Sequence, residues 1–201
     1  MKKIVARALL VLGFVVTPVD AQFLESLKDA ISGPPSQADI AAARQEVQSA
    51  AQQALSALYG VAPGARRSIE SAAGYAAFST FGMKLMIAGG TSGKGLAVNQ
   101  RTNNQTYMKM LQVQGGLGFG VSQNQLIFVF ANEEALSNFI NQGWEFGSQT
   151  NVSAMAGGEG EMFSGAASIS PGVYLYQITE TGLSATLTVS GTKFFVDSDL
   201  N

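Results

Sequence analysis

The sequence predicts an α+β fold: N-terminal Ala-rich helices packed on a curved, mainly antiparallel β-sheet with one interrupting helix. Three observations carry this. Only 4 of the 23 glycines precede residue 74, whereas 19 fall between Gly74 and Gly191. Alanine crowds residues 38 to 77 instead. From Tyr75 onward the apolar pattern changes to period 2, the signature of strands.

The elements follow in chain order. Lys2, Lys3 and Arg7, the apolar run Ala8 to Val16 and the Val19-Asp20-Ala21 site read as a secretory signal peptide over 1–21, cleaved before Gln22. Nine apolar residues are too few to cross a hydrocarbon core of roughly 30 Å. Residues 22–60 form an N-terminal helical segment. In it Phe23, Leu24, Leu27 and Ile31 share one helical face, and Gly33-Pro34-Pro35 ends that helix. Ser36 with Asp39 resembles a capping box, and a longer helix carries Ile40, Ala43, Val47, Ala50, Ala54, Leu55 and Leu58 on one side until Gly60. Pro63 to Ala73 is a third, short helix closed by Gly74.

Residues 61–201 form the α+β domain. Leu111, Val113, Leu117, Phe119 and Val121 alternate with polar or glycine positions, as do Leu183, Ala185, Leu187 and Val189. Each pattern implies a strand with one dry and one wet face. Leu126-Ile127-Phe128-Val129-Phe130 is continuous and so central. Asn132 caps a helix from Glu133 to Gln142, stopped by Gly143. Arg101-Thr102-Asn103-Asn104 and Ser122-Gln123-Asn124 read as hairpin turns, which make the sheet antiparallel.

Composition removes whole classes of chemistry. There is no His and no Cys. The commonest general base, thiolate nucleophiles, disulfides and thiolate zinc sites go with them. Removing the signal peptide leaves 9 basic and 13 acidic groups, a net charge of −4. A binder of nucleic acid needs a basic face instead. No catalytic set emerges, no cofactor or metal site is expected, and no run in the mature chain is long enough for a transmembrane helix.

Two glycine motifs are decoys. Gly89-Gly90-Thr91-Ser92-Gly93-Lys94-Gly95 looks like a phosphate loop, but Ala88 stands where the first glycine belongs and Gly95 where a hydroxyl must meet magnesium. It reads as a loop with a solvated Lys94. Gly115-Gly116-Leu117-Gly118-Phe119-Gly120 lacks the third glycine of a dinucleotide fingerprint, since Val121 or Gln123 occupies that place. Its glycines mark close backbone approach or bulges. Glu159 and Glu161, two apart, read as a solvated strand face.

The order of motifs is nevertheless informative. Ala73-Gly74-Tyr75-Ala76-Ala77-Phe78 is followed by the Gly89–Gly95 segment with Leu96. Then come Gly116 to Gly120, Leu126 to Phe130, Ala135-Leu136, Phe139, Gly143-Trp144-Glu145-Phe146-Gly147, Tyr174, Gly182-Leu183, Leu187 and Gly191. Over roughly residues 60–197 this order resembles the SYLF lipid-binding domain family, some fungal members of which are described as actin-binding. The resemblance implies a non-enzymatic α+β module that binds membrane lipid. It matches Lys94 to a position in the family's glycine-rich turn and Trp144 to a recurrent aromatic. Ser79 stands where a proline is usual, and Tyr174-Leu175-Tyr176-Gln177 replaces a tyrosine–serine pattern.

The expected partner is therefore membrane lipid, with phospholipid headgroups meeting Lys84, Lys94, Arg101, Lys109, Arg66 and Arg67. Phe23, Leu24, Leu27, Ile31 and Trp144 are expected to supply apolar insertion. The expected location is periplasmic or secreted, peripheral on a membrane. The alternative is a structural or protein-interaction domain of the cell envelope, a homo-oligomer self-associating through an open sheet edge, with no lipid ligand.

Overall fold

The sheet takes its form from strands that stay apolar on both faces in one half and on one face in the other. A computed structural model describes residues 35–85, 88–115, 120–146, 165–184 and 191–201. The signal peptide, the helix of Phe23, Leu24, Leu27 and Ile31, Glu159 and Glu161, and the strand expected over 185–189 lie outside them. Helix α1 (Gln37–Val61) and helix α2 (Ala65–Ser71) precede strands β1 (Gly74–Leu85), β2 (Ala88–Asn99), β3 (Gln105–Gly115) and β4 (Gly120–Phe130). Helix α3 (Glu133–Gln142) follows, then β5 (Trp144–Phe146), β6 (Ala167–Ser170), β7 (Val173–Thr179), β8 (Gly182–Ser184) and β9 (Thr192–Val196).

The sheet is curled and every pair is antiparallel. Its order is β5-β9-β3-β2-β1-β4-β7-β6, with β8 paired to β7. The order β4-β1-β2-β3 is that of a Greek key, in which the fourth strand returns beside the first. Consecutive β3 and β4 are thus separated by two strands. The continuous run Leu126 to Phe130 lies in β4 between β1 and β7, central as its composition requires. The described edge strands β5 and β6 have three and four residues, a length that limits edge-to-edge pairing.

Period 2 sends alternate residues to two separate cores. Ala77, Leu96, Tyr107, Ile127, Val129 and Tyr176 meet Val47, Ala51, Ala54 and Leu58 of α1 and Ile69 of α2. Small alanines let α1 approach the sheet closely. On the other face Phe78, Phe128, Phe130 and Phe194 enclose Leu136 and Phe139 of α3. The rings are mostly edge-to-face or tilted, as with Phe78 against Phe194 at 5.0 Å and Phe128 against Phe139 at 5.1 Å. Gly95, directly opposite Phe78 across the β1–β2 pair, leaves room for that ring. Asn132 caps α3 as expected, its side chain accepting the Ala135 N–H at 2.8 Å.

Three local expectations are corrected. Ser122-Gln123-Asn124 is not a turn but lies in the first half of β4; its polarity reflects a strand half that no described helix covers. The 111–121 alternation is not one strand, because β3 ends at Gly115 and β4 begins at Gly120. Gly89 to Gly95 is not a loop but part of β2, paired residue by residue with β1 and β3. The Arg101 to Asn104 turn is where it was expected, with Asn103 at φ 57°.

Candidate functional site

The distal halves of β1 to β4 extend past the described helices, and that overhang creates the site. Register fixes which residues share its α1-side face. One row reads Val113, Gly90, Met83, Val121 across β3, β2, β1 and β4. The next reads Leu111, Ser92, Phe81, Gln123. The third reads Lys109, Lys94, Ser79, Gln125. The apolar pattern here is not dry: Phe81, Met83, Leu111, Val113 and Val121 are 40%, 42%, 53%, 77% and 63% exposed. Exposed apolar side chains grouped on one face mark an interaction surface more often than a scatter of single residues does. The dry face predicted for Leu111, Val113 and Val121 is thus corrected, because α1 shields only the proximal half of the strands.

Where the overhang meets α1 there is a cavity of about 470 Å³. This lies within the ~300–1,000 Å³ common for small-molecule sites. Its floor includes Phe81, Leu111 and Phe195, and α1 contributes Glu46, Val47 and Ala50. Lys94 and Lys109, cross-strand partners, both line it.

Neither lysine is unpaired. Lys94 Nζ lies 3.8 Å from Glu46 Oε2, and both side chains are largely solvated. Lys109 Nζ bridges Asp197 Oδ1 at 2.8 Å and Asp199 Oδ2 at 2.9 Å, with Asp197 buried. Burial alone would lower the Lys109 pKa, but hydrogen bonds and charge from Asp197 and Asp199 outweigh it and raise the value above 10.5. This clasp seats the C-terminal tail. Asn201 adds to it, its side chain donating to Tyr107 O at 2.8 Å and accepting from Tyr107 N at 3.0 Å. Arg44 Nε donates to Leu200 O at 2.7 Å from α1.

The other predicted contacts lie elsewhere. Arg101 sits on the β2–β3 turn, its Nε 2.9 Å from Glu133 Oε1 at the start of α3. Arg66, on α2, stacks 4.2 Å above the Tyr59 ring and lies 3.9 Å from Glu70. Arg67 is exposed on the same helix. Lys84 stands near the distal end of β1, its Cα opposite Gly89 and Gly120. Trp144 is half-buried in the aromatic core, its ring 5.6 Å from Phe139 and 6.4 Å from Phe128. Of the six predicted cations, the described side chains therefore bring together only Lys94 and Lys109. The exposed residues Phe81 and Met83 were not foreseen as contacts, although their alternation with Gly82 and Lys84 was a readable signal.

Among the described residues the groups with shifted pKa values are Lys109 and three tyrosines. Burial raises Tyr59, Tyr75 and Tyr176 above 10.0, partly offset by Arg66 at Tyr59 and by a Ser68 hydrogen bond at Tyr176. Among the described residues there is no cluster of three acidic groups able to hold a metal. Among them, too, no helix is long and apolar enough to cross a membrane.

The described residues thus form a two-sided antiparallel sheet with helices on both faces and an exposed apolar overhang. Part of the chain is similar to the SYLF (Ysc84) family. Residues 111–201 match the family model described as Las17-binding protein actin regulator. Beta cell expansion factor A of Aeromonas veronii is 34% identical over 158 residues, 79% of this chain. The chain spans 59% of that relative's length. The family is one of binding and regulator domains.

Proposed function

We propose that this protein is an exported, non-enzymatic module that docks on phospholipid surfaces through the distal overhang of its sheet. The observation that carries the reading is the set of apolar side chains Phe81, Met83, Leu111, Val113 and Val121, exposed where no described helix covers the sheet. Apolar side chains at such a tip gain free energy by entering the boundary between headgroups and acyl chains. Lys94 and Lys109 lie one row behind it, at a depth where headgroup phosphates would sit. The signal-peptide pattern over residues 1–21 supports a location outside the cytoplasm. Similarity to the SYLF family supports lipid as the partner. The family description as an actin regulator supports a second reading, a protein partner seated on the same patch.

Sedimentation of the mature chain with phospholipid vesicles tests this. Co-sedimentation that falls when Leu111 and Val113 become serine is expected. A chain that stays in the supernatant with neutral, zwitterionic and anionic vesicles at low salt overturns the reading.

A further inference from the structure

The cavity between α1 and the sheet has a charge pattern that selects among amphiphiles. Lys94 and Glu46, 3.8 Å apart, both line it. Lys109 is held by Asp197 and Asp199. Lys193, which pairs with Leu111 in the next strand, lies 3.8 Å from Glu145. Each of these lysines is thus matched by at least one carboxylate within 4 Å. An anionic headgroup gains little here, because each lysine it approaches already has a negative neighbour. A headgroup carrying one charge of each sign does better. Its phosphate can face Lys94 while its ammonium faces Glu46, replacing a solvated ion pair that is itself worth little. Below that pair the floor of Phe81, Leu111 and Phe195 is apolar and takes carbon chain.

We infer that this cavity holds one zwitterionic, single-chain amphiphile of the lysophosphocholine or lysophosphoethanolamine class, with its head between Lys94 and Glu46 and its tail on Phe81, Leu111 and Phe195. The inference deepens the lipid reading but does not need a bilayer, so the two can fail separately.

The test uses lysophosphatidylcholine below its micellar concentration, a monoalkyl phosphate of equal chain length, and tail-less phosphocholine, followed by calorimetry and native mass spectrometry. One lysophosphatidylcholine per chain is expected, bound at least about tenfold more tightly than the alkyl phosphate. Affinity should change by less than about twofold with added salt, since no net charge is neutralised. Glu46→Lys should reverse the preference toward the alkyl phosphate. Lys94→Glu should weaken both phosphate-bearing amphiphiles. Both positions are well exposed, and an unchanged melting temperature will show that the variants fold. Equal or tighter binding of the alkyl phosphate by the wild type overturns the inference. So does phosphocholine binding as tightly as the amphiphile, or charge reversals that change neither affinity. Vesicle association without uptake of single amphiphiles overturns the cavity assignment and leaves surface docking standing; uptake without vesicle association does the opposite.

Discussion

Replacing Leu111 and Val113 with serine removes two of the most exposed apolar side chains on the overhang, at 53% and 77% exposure. Together they hold rather more than one fully exposed side chain of apolar surface. Burying such a side chain is worth about 1.5–3 kcal/mol. The hydroxyls then add a desolvation penalty inside the bilayer boundary. The double substitution should therefore weaken vesicle partition by about 2–4 kcal/mol, about thirtyfold to nearly a thousandfold. The folded state should scarcely change, because neither side chain belongs to the described cores. The assay is vesicle co-sedimentation across a lipid titration, with urea unfolding of the same preparations as the control. A partition constant within about twofold of wild type, with an unchanged unfolding midpoint, would refute the assignment of this face as the docking surface.

The remaining predictions concern the frame that presents this face. Gly95→Ala puts a methyl group into the ring of fully buried Phe78 and should cost about 1–3 kcal/mol in urea unfolding, with partial rescue by Phe78→Leu. Asn132→Ala removes the α3 cap and should cost about 1 kcal/mol by the same measurement. Lys109→Met leaves the buried Asp197 carboxylate without its ammonium partner and should cost about 1–3 kcal/mol at neutral pH. The Lys109 pKa is higher folded than unfolded, so its contribution is complete below 10.5 and is lost as pH rises through the raised value. An alkaline melting series should therefore show wild type converging on Lys109→Met above pH 10.5; parallel curves would falsify the clasp.

Local rules are legible in the residues themselves. Asn132 followed by two acids, then Leu136 and Phe139 before Gly143, specifies one capped amphipathic helix, because caps and the 3.6-residue period act within a few residues. The same holds for Leu126 to Phe130, whose unbroken apolar run demands burial on both faces. Polar strand halves were harder: Ser122 to Asn124 has turn composition but sits in β4, since turn propensity loses to the pairing of β4 with β1.

The candidate site belongs largely to this second category. Lys94 and Lys109 are 15 positions apart, and only the β2–β3 register makes them neighbours. Arg101 is nearer to Lys94 in sequence but sits on the turn at the end of those strands. Leu111, Val113 and Val121 have the same apolar alternation as buried strand residues. Nothing in that pattern states how far along the strands α1 extends its cover. The sequence by itself determined the α+β class, the helix caps, the two-faced strands and the absence of His and Cys chemistry, all consequences of side-chain type and local period. Tertiary structure decided which apolar residues stay in water and which charges meet, because both depend on strand order and on where a helix stops covering the sheet.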